Sequence, residues 1–256
     1  MDLSSAKLAV LIDADNVSAS VLEGLLAEIA RIGEVTVKRV YGDFTSRNSK
    51  KWIDILNRFA IKPMQQFAYT TGKNATDGAL IIDAMDLLHT GRFDGFCIVS
   101  SDSDYTGLAV RLKEEGLQVY GFGEKKTPEA FRNACHKFTF IEVLRNTTSA
   151  TTPPPAITEV VPDLSKEKKV KVPPKESPIH EGIPFDLIKA AIENSCNESG
   201  IARLSAVGIN LLRLKPDFDA RLYGNRNSSL ASLLRSNPDI FEMSGSGGTI
   251  SVRIKA

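Results

Sequence analysis

The chain reads as an α/β protein: a doubly wound, mainly parallel sheet with helices on both faces, followed by a small winged helix-turn-helix unit. Three observations carry that reading. Short apolar runs alternate with helix-period segments up to about residue 145. Two of those runs end in closely spaced carboxylates, Asp13-Ala14-Asp15 and Asp102-Ser103-Asp104. A proline-rich stretch then leads into a tail patterned as helices ending in a hairpin.

Taken in order, Leu8-Ala9-Val10-Leu11-Ile12 predicts a buried strand over 7–13, because a short apolar run bounded by polar residues suits a parallel strand. A helix near 18–32, a strand at 35–42, a helix at 47–59 and a short strand near 62–67 follow. Thr76 reads as the N-cap of a helix over 76–89, which puts Asp77 in its first turn, where the helix dipole favours negative charge. Phe96-Cys97-Ile98-Val99 predicts a strand over 95–100. A helix at 104–115, a strand at 117–122, a helix at 128–136 and a strand at 138–143 complete the pattern. Residues 146–180, with Pro153-Pro154-Pro155, Lys166-Glu167-Lys168-Lys169 and Pro173-Pro174, cannot bury enough surface to order themselves and read as a semi-extended linker. Helical patterns at 184–194, 203–214 and 227–236, then two short strands flanking Gly245-Ser246-Gly247-Gly248, make the tail. The expected divisions are therefore 1–145, 146–180 and 181–256.

Composition fits a soluble globular chain, at 42% hydrophobic and 25% charged residues. A net charge of +1 carries no evidence of wholesale nucleic-acid coating, so any basic surface must be local. Cys97, Cys135 and Cys196 are odd in number and never form a CxxC pair, against both a disulfide framework and a zinc site. A reducing compartment follows. No apolar stretch approaches the roughly 20 residues that span a bilayer, and Met1-Asp2 lacks the basic start of a signal peptide. The expected location is cytoplasmic, with no membrane partner.

Open α/β sheets place their sites beyond the carboxyl ends of the strands. Asp13, Asp102 and Asp104 would converge on that rim, and Asp77 reaches it because helices begin where strands end. Carboxylates so close repel unless a cation sits among them, and an all-oxygen set selects Mg²⁺ or Mn²⁺ over Zn²⁺. Metal-assisted phosphoryl chemistry is the simplest use of such a site. Asp83 lies about 9 Å further down the helix at 1.5 Å per residue, too low to join. Its plainer role is as a supporting or solvated carboxylate. Asn16 offers a hydrogen bond to a ligated water or phosphate, or a cap for the next helix. Ser101 offers a contact to Asp102 or to a scissile phosphate, Lys73 a charge for a phosphate, and Asp43 a carboxylate flanking the site or serving its own turn. Asp and Ser at strand-to-helix junctions also act simply as turn and cap residues. Gly121-Phe122-Gly123 is too short for a nucleotide fingerprint. His89, His136 and His180 lack ligand spacing, and Trp52 reads as core.

Several motifs together carry a resemblance: Ala9-Val10-Leu11-Ile12-Asp13-Ala14-Asp15-Asn16, Val40-Tyr41-Gly42-Asp43, Lys73-Asn74-Ala75-Thr76-Asp77 with Asp83, and Val99-Ser100-Ser101-Asp102-Ser103-Asp104-Tyr105. Over about residues 6–144 the chain resembles the NYN domains of the LabA-like family, in the PIN-like nuclease group. The resemblance implies a metal-dependent ribonuclease with Asp13, Asp77, Asp102 and Asp104 as metal-binding acids and Asn16 beside them. Ser101 stands where that family more often has glycine. The tail, through Leu204-Ser205-Ala206-Val207-Gly208, Leu222-Tyr223-Gly224 and Pro238-Asp239-Ile240-Phe241-Glu242, is similar to the OST-HTH or LOTUS domain over about 181–255. That likeness implies a winged helix that contacts RNA, or a protein partner for the tail. Arg203, Arg213, Lys215, Arg221, Arg226 and Arg235 include candidate phosphate contacts, although eight acids in the same region nearly cancel their charge. Two alternatives stay open. One is a non-catalytic RNA-binding or adaptor protein. The other is a haloacid-dehalogenase-type phosphatase with Asp13 as nucleophile.

Overall fold

The computed structural model describes residues 6–45, 50–67, 75–144, 182–224, 228–246 and 249–255. Strands β1 (Lys7–Asp13), β2 (Glu34–Gly42), β3 (Lys62–Gln65), β4 (Gly95–Val99), β5 (Gln118–Gly123) and β6 (Lys137–Phe140) form one sheet in the order β3-β2-β1-β4-β5-β6. Every neighbouring pair is parallel. The chain winds outward from β1 to β3, then returns to the other side of β1 for β4. That reversal makes the β1/β4 junction the switch point of the sheet, where the two halves leave a crevice beyond the strand ends.

Alternation along the strands assigns the two faces. Ala9 and Leu11 of β1, with Phe96 and Ile98 of β4, pack under α3 (Ala75–His89), α4 (Thr106–Glu114) and α5 (Glu129–Ala134). Leu8, Val10 and Ile12, with Cys97 and Val99, pack under α1 (Leu22–Ile29) and α2 (Lys50–Phe59), where Trp52 is core as expected. Both central strands are buried on both faces, which is why their sequences are nearly unbroken apolar runs.

Boundaries shift where side chains intervene. The helix expected from residue 18 begins as a 3₁₀ turn, Ala19–Val21, whose amide at Ser20 is capped by the Ser18 side chain. Likewise Ser103–Tyr105 is a 3₁₀ turn capped by Asp102. The strand expected to 143 stops at Phe140, and Ile141–Val143 turn as 3₁₀. Thr76 is not the cap of α3, since the helix already includes Ala75; Asp77 still lies in the first turn. The glycines of Gly121-Phe122-Gly123 serve close packing. A Cβ on Gly121 would stand 2.5 Å from the Phe138 ring, and one on Gly123 would stand 2.5 Å from the Ser100 carbonyl oxygen.

Past the linker, which lies outside the described residues, come α6 (Phe185–Glu193), β7 (Ala202–Arg203), α7 (Leu204–Leu214), α8 (Leu230–Arg235), β8 (Phe241–Ser244) and β9 (Ser251–Ile254). The strands form an antiparallel sheet in the order β7-β9-β8. β7 had no sequence signal of its own, being two residues long.

These elements lean on the edge of the large sheet. The Phe138 N–H of β6 donates to the Pro216 carbonyl at 2.8 Å. Arg132 of α5 pairs with buried Asp217. Arg221 forks onto Asp219 and reaches Glu28 of α1 at 3.2 Å, with Lys137 3.7 Å from the same carboxylate. The buried residues of the tail are continuous with the core beneath α3, α4 and α5. An edge strand's unpaired amides invite foreign pairing, and this contact covers part of that edge.

Candidate metal centre

The register of β1 and β4 brings the acids together. Asp13 continues the Ala9 and Leu11 face, so its side chain points toward α3 and α4, and Ser100 continues the Phe96 and Ile98 face toward the same space. Asp102 and Asp104 follow on the turn after β4, and Asp77 enters from the first turn of α3. The outcome is a group of three. Asp77, Asp102 and Asp104 each present a carboxylate oxygen, all within 4.8 Å of one another, with the first two half-buried and Asp104 exposed.

Asp13 sits outside that group and is wholly buried. Its carboxylate accepts hydrogen bonds from the Asp15 N–H at 3.0 Å, Asn16 Nδ2 at 2.7 Å and Ser100 Oγ at 2.9 Å. Two side chains join it to the three. Tyr105 Oη donates to Asp77 Oδ1 at 2.7 Å and stands 3.4 Å from Asp13 Oδ2. Ser100 Oγ accepts the Asp102 N–H at 3.1 Å. Thr76 Oγ1 donates to Asp15 Oδ2 at 2.8 Å, tying the start of α3 to the loop after β1.

Electrostatics follow from this packing. Burial raises the Asp13 carboxyl above its ordinary range, and its hydrogen bonds offset part of that rise. Asp77 is raised by burial and further by the charges of Asp102, Asp104 and Asp15, while the Tyr105 hydrogen bond opposes the rise. Burial and the surrounding carboxylates push the Tyr105 phenol far up, so it remains a donor. Such a cluster is held ionised at neutral pH most readily by a cation. The donor set is all oxygen and contains no His or Cys, which fits a hard divalent ion.

The other residues singled out by sequence fall as follows. Asn16 spends its amide on Asp13, while the cap of the following turn is Ser18. Ser101 is turned away from the acids: its hydroxyl accepts the Glu124 N–H at 2.8 Å. The serine that braces them is Ser100, its neighbour on the other face of the strand. Asp43 accepts from the Thr45 N–H, Thr45 Oγ1 and Gln65 Nε2, bonds that hold a turn and draw its carboxyl below the usual range. Asp83 is hydrogen-bonded to Arg39 and Tyr41, down the helix from the cluster. Lys73, His180 and Arg226 lie outside the described residues. Within the tail, Arg221 is committed to Glu28 and Asp219, which removes it from the set of open phosphate contacts.

Sequence reasoning missed Ser100 and Tyr105. Period-two alternation from Phe96 and Ile98 would have placed Ser100 beside Asp13. For Tyr105 the signal was weaker, an aromatic one residue past the last acid.

Among the described residues no helix is long and apolar enough to cross a membrane. No curated protein matches the chain. Solved structures with some likeness include a Vibrio parahaemolyticus protein of unknown function, 19% identical, with a TM-score of 0.47, covering 55% of this chain and 95% of that one. An uncharacterized Nitrosomonas europaea protein is 29% identical with a TM-score of 0.28, covering 36% of this chain and 93% of its own. Acinetobacter baumannii MurG is 10% identical at a TM-score of 0.35, covering 82% of this chain and 63% of its own. The family model described as the NYN domain matches residues 7–142, more than half of the 256 residues and the whole of the six-stranded parallel sheet. With that match resting on the strands and helix that carry the acids, the chain belongs to the NYN domain family.

Proposed function

We propose that the chain is a Mg²⁺- or Mn²⁺-dependent endoribonuclease of the LabA-like NYN group, acting in the cytoplasm. The observation that carries this is the convergence of Asp77, Asp102 and Asp104 at the switch point of the sheet. These three would hold the ion, and Asp13 completes the acid set from behind. The bound ion would lower the charge on a scissile phosphate and favour ionisation of an attacking water. The chain's own part is to hold the three carboxylates against their mutual repulsion through Tyr105 and Ser100, and to leave the exposed Asp104 side open to substrate. Lys73, next to the start of α3 in sequence, is proposed to meet a substrate phosphate.

Residues 181–256 are proposed to form an OST-HTH/LOTUS winged-helix domain that contacts RNA, with 146–180 as the connecting segment. Its helices followed by a small antiparallel sheet support that reading. Arg203, Arg213 and Arg235 are the residues proposed to meet the RNA backbone. A phosphatase with Asp13 as nucleophile is disfavoured, because that carboxylate is buried and hydrogen-bonded on both oxygens.

A time course on structured and single-stranded RNA with Mg²⁺ or Mn²⁺, comparing wild type with Asp102→Asn, tests the proposal. Metal-dependent cleavage lost in the variant supports it. RNA binding without turnover by wild type under every metal condition refutes it in favour of a binding protein.

A further inference from the structure

We propose that Tyr105 is a positioning residue that makes the α3 acid part of the metal centre, an inference that rests on the metal-dependent reading above. Asp77 belongs to a different element from Asp102 and Asp104, and those two carboxylates, with Asp15, repel it. The contact that opposes this is the 2.7 Å hydrogen bond from Tyr105 Oη to Asp77 Oδ1.

The phenol is suited to that role by where its ring lies. Tyr105 is fully buried, its ring packs beside Phe131 with centroids 6.5 Å apart, and its hydroxyl emerges between Asp77 and Asp13. It follows Asp104 directly in the turn after β4. One rigid side chain therefore links that turn, the end of β1 and the start of α3. A flexible donor at this place would lose more freedom for the same bond, whereas an aromatic already held by the core loses little. Metal sites depend on such supporting hydrogen bonds, and their loss weakens metal affinity about 10–100-fold.

The test is Mn²⁺ binding to the full chain, measured by calorimetry and by the electron paramagnetic resonance spectrum of the ion, for wild type, Tyr105→Phe, Asp77→Asn and the double variant. Tyr105→Phe keeps the ring and the Phe131 contact, so its metal-free Tm should stay close to wild type while its Mn²⁺ affinity falls about 10–100-fold. Tyr105→Phe should cost no further affinity once Asp77→Asn is present, because the phenol acts through that carboxylate. In wild type, Mn²⁺ should also perturb the near-ultraviolet tyrosine signal with the same midpoint, a readout that needs no variant to fold. Wild-type affinity in Tyr105→Phe, or fully additive losses in the double variant, overturns the role of Tyr105 alone. Wild type that binds no Mn²⁺ overturns the metal-dependent reading and this inference with it.

Discussion

Gly123→Ala tests whether the site depends on the seam between β4 and β5. The new Cβ would stand 2.5 Å from the Ser100 carbonyl oxygen, 2.6 Å from Thr127 Oγ1 and 3.0 Å from the tip of the Phe138 ring. The nearest obstacle is backbone, so it cannot rotate away. Ser100 must move by several tenths of an ångström, yet its N–H is tied to the Phe122 carbonyl at 2.9 Å and its hydroxyl bridges Asp13 and the Asp102 amide. Overpacking of this kind costs about 1–3 kcal/mol, or about 3–10 °C in Tm for a chain of this size. Displacing Ser100 should also loosen the acids it braces and weaken Mn²⁺ binding about tenfold. Gly121→Ala is the comparison: its Cβ would strike the Phe138 ring at 2.5 Å and Cys135 Sγ at 2.7 Å but not Ser100, so it should lose stability with a smaller loss of metal affinity. Differential scanning calorimetry and a Mn²⁺ titration on both variants decide the matter. Gly123→Ala with wild-type Tm and wild-type Mn²⁺ affinity would refute the reasoning.

Asp102→Asn should abolish cleavage while leaving the fold intact, because it removes one ligand charge and relieves repulsion with Asp77; unchanged turnover under matched metal conditions would show that the carboxylate has no catalytic part. Asp13→Asn should be more stable than wild type at neutral pH without metal. The folded Asp13 carboxyl titrates above its ordinary 3.8, so its burial cost grows as pH rises through the folded pKa and vanishes toward 3.8. The advantage of the variant should therefore shrink in thermal melts as pH falls from neutrality through the folded pKa toward 3.8, and a pH-independent difference would contradict the burial argument. Arg221→Met should cost about 2 kcal/mol, since it strips charged hydrogen bonds from Glu28 and Asp219, and urea unfolding of the full chain measures it. Ending the chain at Arg145 should weaken RNA affinity if the tail contacts RNA. It should also lower the Tm of the remaining unit, because Arg132 loses Asp217 and β6 loses Pro216; a tail that is merely tethered would leave that Tm unchanged.

How much of this was legible in the sequence depended on the range of the interactions involved. The alternation of strands and helices was readable because β1 and β4, buried on both faces, must be apolar throughout, and because α3 repeats Leu80, Ala84 and Leu87 along one stripe. The acids at the strand ends were readable for the same reason, since charge directly after such a run marks the rim. Thr76 misled in detail: its hydroxyl serves Asp15 rather than the helix amides, a contact across 61 residues that no local pattern records. Ser101 and Ser100 could be told apart only by counting alternation through β4 to its end. The choice mattered because one faces Glu124 and the other Asp13.

The lean of the tail on β6 was hidden for a different reason. A proline-rich linker and a balanced charge suggest two units on a string, whereas the contact is made by pairs that look ordinary one at a time. Arg221 reads in sequence as one more cation for an RNA backbone. In the structure it is largely enclosed between Asp219 and Glu28, and that pairing holds its guanidinium charge more firmly than solvent would. An RNA phosphate would have to displace two carboxylates to recruit it. Arg221 therefore fastens the tail to the NYN domain. Acids and cations are spent together in that contact, Glu28 and Asp219 on Arg221 and Asp217 on Arg132.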